Sequence, residues 1–291
     1  MHNLPQSGIL NDDNRLHLNH GPIDLIIEAF GDHAVVRSAY EQAQIKFNRI
    51  LIDLVAELSL LRAPVSQNKK LLKSAIGLRM QDAVYPFYPT FVTPMAAVAG
   101  AVADYMLGIL CENNKLRKAY VNNGGDIAIY LADNEVFNIG IITDLKTRAI
   151  GGTIAITQID NINGIATSGR HGRSHSLGIA DAVTVLAKNS AQADAAATLI
   201  ANAVDVQDTT LVKKIPANEL SPDSDLVNKL VTVDVRKLPK KLAEKAVAQG
   251  CDRAVDYIDK GLIKAATISL QGIVEVVGSR HILIKNCNAK I

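Results

Sequence analysis

Two alanine-rich segments most narrowly limit how this chain can fold, because a helix without large side chains must bring its backbone close to whatever it packs against. The first is expected from Met95 to about Leu110, where Ala96, Ala97, Ala99, Gly100, Ala101 and Ala103 leave a slim surface; the second runs from Ala191 to Val204. Gly100 costs about 1 kcal/mol of helix propensity relative to alanine, so its place in the first segment needs a reason. Tight packing against a sheet is the plainer one, and close approach to a ligand is the other. The remaining composition agrees: 48% of the residues are hydrophobic but only 4% are aromatic, with no Trp, so the core must be aliphatic and closely spaced.

The hydrophobic pattern alternates between strand and helix periods. Apolar positions between Arg15 and Phe30, punctuated by Gly21-Pro22, predict a hairpin. From Ala34 to Leu61, apolar residues recur at three- and four-residue steps and Pro64 marks a stop, which predicts a long amphipathic helix. Tyr85-Pro86-Phe87-Tyr88-Pro89 reads as an ordered loop, either a plug over the core or a ligand contact. Thr93 can cap the first alanine-rich helix with Pro94 in its first turn, and Ser190 can cap the second.

Strand patterns cover Asp126 to Leu131, Val136 to Ile142, Ala149 to Thr157, Gly164 to Thr167 and Ala182 to Ala187, with turns at Asp133-Asn134 and Gly151-Gly152. A strand near Leu230 to Val235, a helix from Leu242 to Leu262, and closing strands at Ala265 to Val277 and His281 to Lys285 complete the reading. Helices set among strands without regular alternation imply an α+β fold, with mixed, mainly antiparallel sheets and packed alanine-rich helices. Residues 1–291 are expected to form one domain or two closely packed lobes.

A net charge of +2 gives no reason to expect a nucleic-acid partner, and the runs Lys213-Lys214 and Lys237 to Lys241 read as solvated. Cys111, Cys251 and Cys287 are widely spaced and odd in number, which fits a reducing compartment better than a disulfide framework or a zinc site. The first residues lack a signal-peptide pattern, and the apolar stretches are interrupted short of the ~18 residues a spanning helix needs, so the expectation is a cytoplasmic protein that engages no membrane. Slim apolar helices make a homodimer a reasonable expectation.

Three segments can carry chemistry. Asn122-Asn123-Gly124-Gly125-Asp126 precedes an apolar strand; its glycines let the backbone approach a ligand and Asp126 can hold a hydroxyl, an amide or a metal-bound water, although such a turn also serves as a plain strand connection. Ser168-Gly169-Arg170-His171-Gly172-Arg173-Ser174-His175-Ser176 follows another strand and offers hydroxyls, imidazoles and guanidinium groups suited to a phosphate, or else forms a polar surface loop. Either histidine can act as a general base near neutral pH. In the second alanine-rich helix, Asp194 and Thr198 stand four residues apart on one face, which suits Mg²⁺, unless Asp194 only complements the helix dipole.

Taken in order, the Asn-Gly-Gly-Asp turn, the strand ending in Ser168-Gly169, His175, the Val-Thr-Val strand and Ala193-Asp194-Ala195-Ala196-Ala197-Thr198 resemble the ApbE-type FAD:protein FMN transferases over about Tyr120 to Val204, with the Pro-Met-Ala-Ala run after Thr93 looking like a divergent branch. The resemblance implies an ApbE-like, T-fold-like architecture and a site for FAD or another flavin. It implies dinucleotide contacts from Gly124, Gly125 and Asp126, Mg²⁺ held by Asp194 and Thr198, and His175 in catalysis; beside it, the chemistry of the residues makes Asn123, Gly169, Arg170 and Arg173 further cofactor-binding candidates and Ser168 a further catalytic one. The partners it implies are a phosphate-bearing small molecule and a flavoprotein acceptor.

The chain departs from the family pattern after Ser168-Gly169, where Arg170-His171 replaces an acidic and aromatic continuation. The family's His-x-x-Asp-Pro-x-Thr-Gly segment is reduced here to His175-Ser176-Leu177-Gly178-Ile179-Ala180-Asp181, without its Pro and Thr-Gly. Flavin transfer therefore stands beside two alternatives, a cofactor-binding protein without transfer chemistry and a different enzyme of small-molecule cofactor metabolism on the same scaffold.

Overall fold

A computed structural model describes residues 4–10, 14–147 and 149–278. The strand expected at His281 to Lys285, and Cys287, lie outside the described residues. The chain divides into two compact units: residues 1–136, 157–166 and 187–194 form the first, and residues 137–156, 167–186 and 195–291 the second.

In the first unit, β1 (Gln6–Ile9), β2 (Leu16–His20), β3 (Ile23–Phe30), β4 (Lys118–Asn123) and β5 (Asp126–Leu131) form an antiparallel meander, and residues 164–165 add to β5. Strict alternation makes this sheet two-faced: Leu16, Leu18, Ile23, Leu25 and Ile27 are buried while the residues between them are half-buried. The expected hairpin turn at Gly21-Pro22 is present. α1 (His33–Ala56) packs on this sheet through Ala39, Tyr40, Ala43, Phe47, Ile50 and Leu54, the positions its periodicity marks. It stops at Glu57, earlier than expected, and α2 (Leu58–Leu61) follows as a separate turn, while the Glu57 carboxylate accepts bonds from the Lys73 and Ser74 N–H groups and the Ser74 hydroxyl. α3 (Ala75–Val84), which the sequence reading did not assign, is capped by the Ser74 hydroxyl, which accepts the Gly77 N–H at 3.0 Å.

Pro94–Ala97 forms a 3₁₀ turn leading into α4 (Val98–Cys111), so the expected single helix is really two pieces, and Thr93 makes no side-chain cap. The stretch Pro94–Cys111 corrects the expectation that no segment could span a membrane: 18 residues with mean hydropathy 1.6 are long and apolar enough by length and composition. Asp104 is its one charged residue, and its alanines reduce its bulk without lowering its hydropathy. Here α4 packs on α1, β4 and β5, burying Ala101, Val102, Ala103, Met106 and Leu110.

The second alanine-rich helix, α5 (Ser190–Ala203), begins in the first unit. Its cap is Asn189 rather than Ser190: the Asn189 Oδ1 accepts the Gln192 N–H at 2.8 Å, while Ser190 is fully buried and its hydroxyl has no hydrogen-bond partner.

In the second unit, β6 (Val136–Asp144) and β7 (Ala149–Thr157) form a two-stranded sheet. Gly151-Gly152 lies inside β7 rather than at a turn; a Cβ on Gly151 would come within 2.2 Å of Thr143 Cγ2, so glycine allows close strand approach. The end of β8 (Gly164–Ser168) and β9 (Ala182–Ala187) share a bond between the Thr167 and Thr184 hydroxyls at 2.9 Å. β10 (Val212–Pro216), α6 (Ala217–Leu220) and β11 (Leu230–Val235) follow, and β10 pairs antiparallel with β11. α7 (Lys240–Asp259) packs on the antiparallel strands β12 (Ala265–Leu270) and β13 (Ile273–Gly278), with β12 also pairing antiparallel with β9. The α+β class, mainly antiparallel, follows directly from these ladders.

Candidate functional site

The Gly-Gly turn joins β4 to β5 as a two-residue hairpin, with Asn123 opposite Asp126 and both glycines at positive φ, +67° and +113°. That backbone is the reason for two glycines, since both central positions of such a turn exclude a normal side-chain conformation. The Asn122 Oδ1 accepts the Gly125 N–H at 2.9 Å and stiffens the turn. Asn123, buried, donates its side-chain N–H to the Ala99 carbonyl at 3.1 Å, which ties the turn to the start of α4.

Ala99 is held from its other side by Asp194. The Asp194 carboxylate accepts the N–H groups of Ala99 and Gly100, the latter at 3.0 Å. In return, the Asp104 carboxylate on α4 accepts the N–H groups of Ser190 and Ala191, each at 2.9 Å, in the first turn of α5. Each helix thus supplies an acid to the unsatisfied donors at the other's N-terminus. Gly100 is explained by this clasp: a Cβ there would lie 2.3 Å from the Ser190 carbonyl oxygen.

Asp194 titrates well above the usual carboxylate range. Burial is the larger cause, followed by the charge of Asp126, and both outweigh the N–H donors of Gly100 and Ala99. The residue keeps partial solvent contact, so the effect comes from the protein packed about its carboxyl rather than from complete occlusion. Asp104 is pushed up to about 6, first by burial, with its two N–H bonds and the charge of Arg79 opposing. Two sequence-singled residues, Asp126 and Asp194, are therefore brought together, and Asn123, Gly124 and Gly125 stand beside them. Thr198 lies one turn beyond Asp194 on α5.

The sequence reading missed Asp104 and the α4 amides. The available signal was a lone acid in an 18-residue apolar run.

The residues from Ser168 to Ser176 lie in the second unit. Ser168 ends β8 and is half-buried, while Arg173 and His175 are exposed. Gly169 is needed where it stands, since a Cβ would fall 2.6 Å from the Asp181 carbonyl oxygen. Arg170 is committed to a partner of its own: its Nε and a terminal nitrogen donate to one Asp181 oxygen at 2.9 and 2.8 Å. The buried Asp181 also accepts the Gln271 N–H at 2.5 Å. His171 is lowered by burial and then by the Arg170 charge, with Asp181 and Asp144 opposing.

Among the described residues, no group of three or more His, Cys, Asp or Glu side chains could hold a metal. The donor set instead suits the habit of Mg²⁺, which takes one or two carboxylates and completes its shell with water and substrate phosphates. Asp194, whose proton affinity the charge of Asp126 raises beside an open backbone turn, fits that mode.

An α+β protein with an acid pair at a glycine turn is the class these features define. The chain belongs to the family described as AbpE bacteria, which matches residues 7–276. A UPF0280 protein of Methanocaldococcus jannaschii is 42% identical over 113 residues, covering 38% of this chain and 45% of that protein. The chain thus spans under half the length of that relative. A UPF0280 protein of Archaeoglobus fulgidus is 31% identical over 172 residues, covering 58% of this chain and 69% of its own. Among solved structures, the chain is similar to the ApbE protein of Thermotoga maritima (TM-score 0.49, 13% identity, 94% of this chain and 97% of that one) and to the flavin transferase ApbE of Vibrio cholerae (TM-score 0.45, 13% identity, 92% and 98%).

Proposed function

We propose that this chain is a Mg²⁺-assisted enzyme that binds a flavin or another phosphate-bearing ligand and transfers a flavin nucleotide to a protein hydroxyl. The observation that carries this reading is the pairing of Asp126 with Asp194 at the Gly124-Gly125 turn, where each acid's charge favours a shared cation. Membership of an ApbE-like family supports it.

Asp126 and Asp194, with Thr198, would hold the Mg²⁺, which supplies neutralisation of diphosphate charge. The glycine turn would receive the dinucleotide against its backbone. In the transfer that this reading implies, an acceptor hydroxyl would displace AMP from the phosphorus on the FMN side, and His175, in the second unit, is the candidate to take the hydroxyl proton. Ser168, Gly169 and Arg173 would contact the phosphates, and Arg170 would act through the loop it braces. Incubation with FAD, Mg²⁺ and a flavoprotein acceptor carrying a target Thr should yield AMP and acceptor-linked flavin; the absence of both products would remove the transferase assignment.

A binding protein without transfer chemistry is the second reading, favoured by the Arg170 to Asp181 pair, which spends a cation on loop structure. Calorimetry with FAD distinguishes the two: saturable binding without AMP release supports the second.

A further inference from the structure

In the first unit, the loop between α2 and α3 displays one leucine to solvent and fixes it there. Leu71 is 92% exposed, whereas its neighbour Leu72 is 8% exposed. Two clamps hold the loop on either side. Gln81 on α3 bonds Lys70 twice, accepting its N–H at 2.6 Å and donating to its carbonyl at 3.2 Å. Glu57 accepts the Lys73 N–H at 2.5 Å and the Ser74 N–H at 3.1 Å. A loop fastened at both ends does not leave Leu71 the easy option of turning inward, so its hydration is a standing cost that a partner would relieve.

The chemistry around the spike names the partner. Residues 57–82 carry five cations, Arg62, Lys69, Lys70, Lys73 and Arg79, against two acids, Glu57, which lies beside Lys73, and Asp82. Asp82 reaches Lys69 at 2.6 Å, but the pair is exposed on both sides and weak. Leu60 and Leu78, on the helices flanking the loop, are also exposed, at 37% and 41%. A single fixed aliphatic side chain among lysines suits a surface that is anionic outside and hydrocarbon within, and that needs no shaped pocket.

We infer that residues 69–73 dock the protein on an anionic lipid bilayer, with Leu71 entering the interface and Lys69, Lys70 and Lys73 meeting the headgroups. This proposal departs from the expectation that no membrane is engaged, and it concerns surface docking rather than the apolar stretch Pro94–Cys111.

The test is cosedimentation of the full chain with vesicles of phosphatidylcholine alone and of phosphatidylcholine containing about a third phosphatidylglycerol. Binding to the anionic vesicles only, released by high salt, is expected. Leu71→Glu should weaken it more than about tenfold, and Lys69→Gln or Lys73→Gln about fivefold each, with unchanged thermal unfolding showing that each variant is folded. Equal binding to both vesicles, or an unaffected Leu71→Glu, overturns the proposal. Absence of vesicle binding with retention on an immobilised acidic peptide overturns it in favour of a protein partner.

Discussion

The carboxylates of Asp104 and Asp194 are exchanged: each accepts backbone N–H groups from the first turn of the helix that carries the other. The clasp explains why an acid stands inside an apolar helix and why a second acid tolerates burial beside a third. It also fixes where the chemistry can be tested without unfolding the protein.

Asp126→Asn removes the charge that raises Asp194 without changing the shape of the turn. Without Mg²⁺, the variant should melt at or above the wild-type temperature at pH 7, because a like-charge repulsion is gone. On the proposed Mg²⁺ site, Mg²⁺ should raise the melting temperature of the wild type but not of the variant, and any transfer activity should fall about a hundredfold or more. A variant that Mg²⁺ stabilises as strongly as the wild type would separate Asp126 from metal binding.

Gly100→Ala and Gly108→Ala change the same helix in opposite directions. The first drives a methyl to 2.3 Å from the Ser190 carbonyl oxygen, while at Gly108, which is exposed, nothing lies within 4 Å. Urea unfolding should show a loss of about 3 kcal/mol or more for the first and a gain of up to about 1 kcal/mol for the second. Similar effects at both positions would mean that the clasp is looser than the geometry states.

Asp104 makes stability fall as pH rises. Its folded pKa, about 6, lies above its ordinary 3.8, so the folded state keeps the proton longer than the unfolded state does. Below about pH 4 both states are protonated and the penalty is absent; it grows through the interval to about pH 6 and is constant above, on the order of 2–3 kcal/mol in all. Asp104→Asn keeps one acceptor for the two N–H groups and loses the ionisation. Urea unfolding at pH 4.5 and 7 should therefore give a flatter dependence in the variant; equal slopes would show that Asp104 does not titrate differently on folding.

Much of this architecture was legible in period and punctuation. The strands Asp126 to Leu131, Ala149 to Thr157, Ala182 to Ala187 and Leu230 to Val235 have the expected limits because alternation or continuous apolar runs end at turn residues. α3 escaped because Ile76, Met80, Ala83 and Val84 give a stripe only ten residues long, and the edge strand β1 because all four of its residues are exposed. At the site, glycine and acid positions were readable, since a turn needs its glycines wherever the chain goes. The caps were not: Thr93 makes none and the Gln192 N–H goes to Asn189 rather than Ser190, while the amides of Gly100, Ser190 and Ala191 are taken by acids 86 to 94 residues away, which local pattern cannot reveal.

Asp181→Asn addresses the second unit. The amide would leave the Arg170 guanidinium without its anion in a buried setting and weaken the bond from Gln271. A loss of roughly 3–5 kcal/mol is expected, the range for breaking one side of a buried pair, with faster hydrogen exchange at the Gln271 amide as the local reading. A surface-like loss under about 0.5 kcal/mol would show that the pair is solvated.

The exchanged acids also bear on how the protein acquires its structure. Neither helix start is complete until a partner nearly a hundred positions distant in the chain has arrived, and such distant closures are entropically slow. The hairpin can form early from its own turn, whereas a ribosome-bound chain that has not emerged past residue 194 has Asp126 without its partner acid.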